Sequence, residues 1–362
     1  MRALVTGANG LIGANLVRAL LTGGHEVRAF VRTAADLSSI EGLPMELKAG
    51  DVLDAEALRS AARDCETVFH TAIPFAYAGQ VDDDLETLAV KGTSNALHAA
   101  KEMGARRVVV TSSSIVFGYA TSPQVIDESA GLASPDGQPA YVAAKLRQDR
   151  FTLRLAEELG IEVVLVCPTM SVGPFAPRLG PSNAIVVQYL ADPFRMTYPG
   201  GCNLVSVEDV ASGHLLAAEF GRSGEHYLLG SENLTWVEIH GIVAELAGVA
   251  APRVEINQTL SYLAASAEEV LARMQRRRPL TTRDQATMVG RFYWYSHSRA
   301  ADLGYRPRPA RTALARAIAW LASSPHITRE VRATMHLHED VYAARRDTEA
   351  RERTLRGTHE VV

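Results

Sequence analysis

Tyr141 and Lys145 stand four residues apart in Tyr141-Val142-Ala143-Ala144-Lys145, a spacing that sets a phenol and an ammonium on one face of a helix. A free phenol titrates near pH 10 and is a poor acid or base at neutrality. A cation beside it stabilises the phenolate, so the proton can move in either direction. Upstream, Thr111-Ser112-Ser113-Ser114 offers hydroxyls able to bond an oxygen on which charge develops. At the start of the chain Gly7, Gly10 and Gly13 form a Gly-x-x-Gly-x-x-Gly turn. Residues without Cβ let the chain turn sharply, let a pyrophosphate rest on a helix N-terminus and let that helix pack closely on its strand. Asn9, Leu11 and Ile12, interleaved with the glycines, share that contact. Each feature alone arises by chance; the three in this order and at domain-scale separations seldom do.

The elements that must position them follow from the pattern. Ala3-Leu4-Val5 reads as a strand before the glycines and Leu11 to Leu21 as the helix after them. His25 to Val31 is a second strand ending in Arg32. There an acidic side chain would bond a ribose 2′-hydroxyl, whereas an arginine would accept a 2′-phosphate. No acid stands at that place before Asp36, which favours NADP over NAD, with Arg32 as first candidate and Arg28 as second; the alternative is that Arg32 merely caps the strand in solvent. Met45 to Lys48 is a third strand, and Asp51 with Val52 after it either grips the adenine or, through Asp51, caps the helix Ala55 to Ala62. Thr67 to Ala72 is the fourth strand, whose tip (Thr71, Ala72, Ile73) passes beneath the cofactor before Pro74 and Phe75 lead toward substrate. His70 reads as a satisfied structural histidine. The helix Leu85 to Met103 stops at Gly104, Val108 to Val110 carries the serines to the carboxyl edge of the sheet, and the helix from Tyr141 to Leu159 precedes a sixth strand, Val163 to Cys167. The fold class is α/β with a doubly wound parallel sheet.

Composition narrows the partners. The 362 residues are 47% hydrophobic and 22% charged with a net charge of −4, an ordinary globular balance without general attraction for nucleic acid or anionic lipid. Arg276-Arg277-Arg278 reads as a solvated helix end. Cys65, Cys167 and Cys202, odd in number and widely spaced, suggest neither a disulfide framework nor a zinc site. Met1 runs directly into a core strand, leaving no room for a signal peptide, and no apolar run nears the roughly 20 residues of a membrane helix. The expectation is a cytoplasmic protein acting on a small molecule, with no metal and no membrane or nucleic-acid partner. His336, His338 and Glu339 are not a metal set, since i,i+2 residues diverge on a helix.

Over residues 1–320 the glycine turn, serine strand and Tyr-x-x-x-Lys pair resemble the extended short-chain dehydrogenase/reductase superfamily, also called the NAD-dependent epimerase/dehydratase family. Val31-Arg32, Gly50-Asp51-Val52-Leu53 and Val68 to Pro74 are similar to its dihydroflavonol-4-reductase-like branch. The resemblance implies a Rossmann-type sheet and NADPH-dependent carbonyl reduction, with Tyr141 as general acid and Lys145 holding the nicotinamide ribose and tuning the tyrosine. It selects Ser113, four residues before Phe117 of Val116-Phe117-Gly118, as the catalytic serine, with Ser114 in reserve. Pro168, Thr169 and Met170 would border the nicotinamide, and Phe75, Ser114, Phe117 and Phe175 are candidates for substrate contact.

Two departures bear on the chemistry. Ala89 stands where many relatives carry an asparagine, and the serine site lacks the Asp-Glu pair of sugar-nucleotide dehydratases. The proline- and aromatic-rich stretch Met170 to Gly200 suits a substrate lid, and Asn203 to Val207 resembles the family's return strand. The expected division is a dinucleotide-binding domain of 1–168 with about 201–225, an interleaved substrate domain of 169–200 and 226–322, and a charged helical tail of 323–362. Leu260 to Gln285 shows little regularity. The family's habit of pairing through the helices near Leu85 and Tyr141 implies a homodimer. A sugar-nucleotide epimerase holding NAD and a non-catalytic dinucleotide sensor are the alternative functions.

Overall fold

Val108, Val109 and Val110, like Val163 to Val166, are buried at every position, which requires a parallel strand covered on both faces. The computed structural model describes residues 1–72, 85–275, 279 and 281–357; Ile73, Pro74, Phe75 and Arg276 to Arg278 lie outside them. Seven parallel strands form the main sheet: β1 (Arg2–Thr6), β2 (Glu26–Val31), β3 (Glu46–Ala49), β4 (Thr67–His70), β5 (Arg107–Thr111), β6 (Glu162–Pro168) and β7 (His226–Leu229). Their order is β7-β6-β5-β4-β1-β2-β3. The winding reverses between β1 and β4, and such a switch point opens a crevice at the carboxyl ends of the strands.

Helices α1 (Leu11–Thr22) and α5 (Val207–Phe220) cover one face through Leu16, Val17 and Val210. Helices α2 (Ala55–Ala62), α3 (Leu85–Glu102) and α4 (Ala140–Leu159) cover the other through Leu58, Leu97 and Leu155. A five-stranded second sheet contains Glu232–Thr235, Gly201–Ser206, Phe292–Tyr295, Val125–Ile126 and Met170–Val172. The return strand thus belongs to the second sheet rather than the first, and β7, assigned from sequence to the substrate part, closes the edge of the first. Both strands are short apolar runs, and periodicity cannot tell which sheet such a run joins.

The stretch that looked irregular holds a helix, Gln258–Met274, capped by Asn257, whose side chain accepts from Leu260 N at 3.0 Å. Only Ser261, Ala265 and Ala272 are buried on it, while Leu260, Leu263, Val270 and Met274 are exposed. Its inward stripe is made of small residues, so apolar periodicity marks the wrong face.

The charged tail docks on its own chain. Helix α7 (Glu339–Gly357) lies along α6 (Ala310–Leu321) and reaches α1. Arg18 meets Glu352 through two bonds of 2.6 and 2.9 Å, and Arg316 joins Asp347 at 2.7 Å. Arg18 also donates to Ser39 O at 2.7 Å, so the tail steadies the loop after β2. Glu352→Ala should lower stability by about 1–3 kcal/mol, because it leaves a largely buried guanidinium unpaired. The exposed Glu349→Ala should stay within about 0.5 kcal/mol. Equal urea midpoints for the two variants would contradict this role for the tail.

Candidate active site

Each glycine of the first turn has a measurable reason. Gly7 has φ +67°, and a Cβ there would lie 2.8 Å from Ala72 Cα. A Cβ at Gly13 would lie 2.2 Å from Gly7 O, so α1 approaches β1 as only glycine allows. Gly10 occupies the N-cap of α1 without a side-chain cap, leaving the first helical N–H groups to an outside acceptor. This cradle fits a pyrophosphate. Thr71 locks the adjoining strand tip, its Oγ1 donating to Thr6 O at 2.7 Å. Asn9 donates to Asp36 O at 3.0 Å and accepts from Ser39 Oγ at its carbonyl, also 3.0 Å, so it braces the loop after β2.

Arg32 follows β2 and is exposed. Arg28, the second candidate, is buried and committed elsewhere: it donates to Glu46 at 2.7 Å and to the carbonyls of Ala61 and Arg63 at 2.7 and 2.6 Å. As a candidate for a 2′-phosphate it is thereby removed, since its side chain points from the strand middle into the end of α2. Asp51 is not the cap of α2. That place is taken by Asp54, which accepts from Glu56 N and Ala57 N, while Asp51 accepts from Leu53 N at 2.9 Å. Val52 is buried and its carbonyl accepts from Asn95 at 2.9 Å.

At the end of β5 four consecutive hydroxyls face four different partners. Thr111 Oγ1 lies 2.9 Å from His214 Nε2. Ser112 donates to Asp149 Oδ2 at 2.6 Å, while Ser114 lowers the Tyr295 phenol and Ser113 the Tyr141 phenol, each against the rise that burial causes. Ser113 is the only one of the four that is not buried. Of the four, Ser113 is the hydroxyl that acts on the Tyr141 phenol.

Tyr141 sits in the first turn of α4, packed on Leu85, Ala89 and Ala144; the small Ala89 fills the place of the family's asparagine. Burial raises its phenol above the usual value, the Ser113 hydrogen bond works against this, and the charge of Asp149 adds to it. Lys145 is pushed down to about 8 by burial, against the pull of Asp149 and Cys167. Its Nζ donates to Thr111 O at 2.7 Å. The lysine chain thus reaches the last carbonyl of β5, while Ser113 lowers the phenol and Asp149 raises it. His70 is a buried neutral histidine, pushed down to about 3, with Nδ1 2.9 Å from Thr6 Oγ1.

Other expected contacts serve packing. Phe117 is buried in the second-sheet core, edge-on to His226 at 5.8 Å. Phe175 has φ +65° and lies under the Arg18 guanidinium, 3.5 Å from its ring centre. Ser114 is buried beside Tyr295. Phe75 lies outside the described residues. Pro168 ends β6, Thr169 donates to Asn203 Oδ1 at 2.8 Å, and Met170 Sδ lies 3.6 Å from Cys202 Sγ. All three stand at the same strand-end edge, held from behind.

One group escaped the sequence: Asp149, Cys167 and His226 bring potential ligand atoms within 4.8 Å of one another. They come from α4, β6 and β7, so no local motif announces them. Ser112 and His226 already take Asp149 Oδ2, and the buried Lys145 ammonium beside it disfavours a metal ion there.

The model of the NAD dependent epimerase/dehydratase family matches residues 3–230. The chain belongs to that family. It is 31% identical over 328 residues to a putative dihydroflavonol 4-reductase of Synechocystis sp., covering 89% of this chain and 95% of that one. Cinnamoyl-CoA reductase 1 of Oryza sativa subsp. japonica is 31% identical over 338 residues, covering 89% and 91%. Among solved structures, gox2253 superposes with a TM-score of 0.77 at 33% identity, covering 90% of this chain and 99% of that one. As a member of the family's extended short-chain branch the chain is an NAD(P)-dependent oxidoreductase. No helix among the described residues is long and apolar enough to cross a membrane.

Proposed function

We propose that this chain reduces a ketone, aldehyde or activated acyl carbonyl with NADPH. What supports the reading is the meeting of three groups at the carboxyl edge of the sheet: Ser113, whose hydroxyl acts on the Tyr141 phenol, Lys145 bonded to the last carbonyl of β5, and a glycine turn shaped for a pyrophosphate. Ser113 orients the carbonyl and bonds its oxygen as charge develops. Tyr141, kept protonated by burial, donates the proton to that oxygen. Lys145, anchored at the strand tip, would hold the ribose hydroxyls of the nicotinamide half. The bound cofactor supplies the hydride; the chain supplies orientation and charge stabilisation.

The relatives' names support reduction rather than epimerisation and suggest the first substrates to try. Loss of NADPH and NADH absorbance, followed separately with dihydroflavonols, cinnamoyl-CoA and simple ketones and aldehydes, tests the reading. Steady NADPH consumption with at least one carbonyl is expected. Tight NADPH binding with none consumed would overturn it.

The preference for NADP is assigned to Arg32. Arg32→Ala should raise KM for NADPH roughly 10- to 100-fold, the loss of one charge-assisted phosphate bond, with NADH kinetics unchanged. An equal change for both cofactors would remove Arg32 from the discrimination.

A further inference from the structure

Tyr141, Lys145 and Asp149 follow one another at i, i+4 and i+8 along α4, on a single face. Both the Lys145 ammonium and the Asp149 carboxylate are enclosed, at 3% and 0% exposure. The Asp149 carboxylate is pinned from two strands: Oδ2 accepts from Ser112 Oγ at 2.6 Å and lies 3.1 Å from His226 Nε2. Its Oδ1 is buried without a hydrogen-bond partner. An enclosed charge with spare acceptor capacity is costly unless an opposite charge compensates it. His226 Nε2 lies against the carboxylate, and the Lys145 ammonium, one helical turn away on the same face, is raised by its charge.

The other groups facing this compartment do not fill the same role. From β6, the Cys167 thiol is pushed well up by burial and stays neutral. From β4, His70 is neutral through the physiological range. Glu128, which acts on Cys167, is raised by burial and accepts from Leu228 N at 2.8 Å. His226 from β7 faces the carboxylate itself. Asp149 is the carboxylate whose charge acts on both Lys145 and Tyr141.

We propose that Asp149 is a positioning residue of this enzyme: its carboxylate, held by Ser112 and His226, is the internal counter-ion that keeps Lys145 an ammonium beside the Ser113–Tyr141 pair. The proposal rests on the carbonyl reduction argued above for its effect on rate. Removing the negative charge withdraws support from the ammonium and an upward push from the phenol, so both groups lose their protons at lower pH.

The chain has four lysines, Lys48, Lys91, Lys101 and Lys145, so the Lys145 signal can be followed by NMR of the full chain labelled with 13C-lysine. In Asp149→Asn the Lys145 midpoint should fall by about one pH unit or more, and the alkaline limb of the reduction profile should move down with it. Asp149→Glu, which keeps the charge, should restore most of both. A folded Asn variant whose Lys145 titrates as in the wild type would overturn the proposal. Should that variant not fold, the wild-type titration decides. A midpoint at or above about 8 supports the counter-ion, and one near the roughly 5–6 of an uncompensated buried lysine overturns it. A shifted midpoint in a protein that reduces no carbonyl would leave the counter-ion standing and remove the reductase reading.

Discussion

Tyr141→Phe is expected to lower kcat roughly 10²- to 10⁴-fold, the size of a general-acid contribution, while the affinity for NADPH stays near the wild-type value. The phenylalanine keeps the ring against Leu85, Ala89 and Ala144, so the fold loses only the hydroxyl. Because burial holds the phenol above its usual range, Tyr141 carries its proton throughout neutral pH. The reduction rate of the wild type should therefore be level there and decline on the alkaline side. That decline should begin near the Lys145 value of about 8, since a lysine whose value is lowered loses its charge first. Initial rates across pH, with cofactor binding followed by NADPH fluorescence, check both parts. A Tyr141→Phe enzyme of wild-type kcat would take the tyrosine out of the mechanism.

Gly13→Ala should weaken NADPH binding by roughly 10²-fold or more and cost about 1–3 kcal/mol of stability. The new Cβ would stand 2.2 Å from Gly7 O and 2.9 Å from Ala8 Cα. Both are backbone atoms, so no side-chain rotation relieves the clash, and α1 must move off β1. The moving end is the one whose N–H groups would meet the pyrophosphate, and the loss of two charge-assisted bonds would account for the affinity. Gly10→Ala should be milder, its Cβ meeting Gly7 O at 3.3 Å. Gly241→Ala, with no atom within 4 Å in the helix Trp236–Ala247, should be neutral or up to about 1 kcal/mol stabilising. Isothermal titration with NADPH and urea unfolding of the three variants check the ranking; equal affinities for all three would contradict this use of the glycines.

Much of this architecture can be read in the chain because its signals are local. A valine run, a glycine turn and an i,i+4 pair each report on a few neighbouring residues, and the order of elements then fixes the sheet. The serine cluster shows where that stops. Four adjacent hydroxyls are equivalent on paper, and only the partners that the fold brings from α4, α5 and the second sheet separate Ser113 from Thr111, Ser112 and Ser114. Lys145 shares a helical face with Tyr141, yet its reach to the Thr111 carbonyl depends on how α4 lies against β5. Phe117 and Phe175 follow the same logic: an aromatic near a strand end suits a pocket or a core equally, and packing assigned both elsewhere. The tail's alternating charges signal a helix, but it takes pairs such as Arg18–Glu352 and Arg316–Asp347 to reveal that it binds its own chain.

The most direct test of the central claim is mass spectrometry of the alcohol formed when NADPH deuterated at C4 of the nicotinamide is oxidised by the wild-type enzyme with an accepted carbonyl. Deuterium is expected on the carbinol carbon in proportion to NADPH consumed, with formation of that product suppressed in Tyr141→Phe. An alcohol without label, or product formed equally well by the phenylalanine variant, would contradict it.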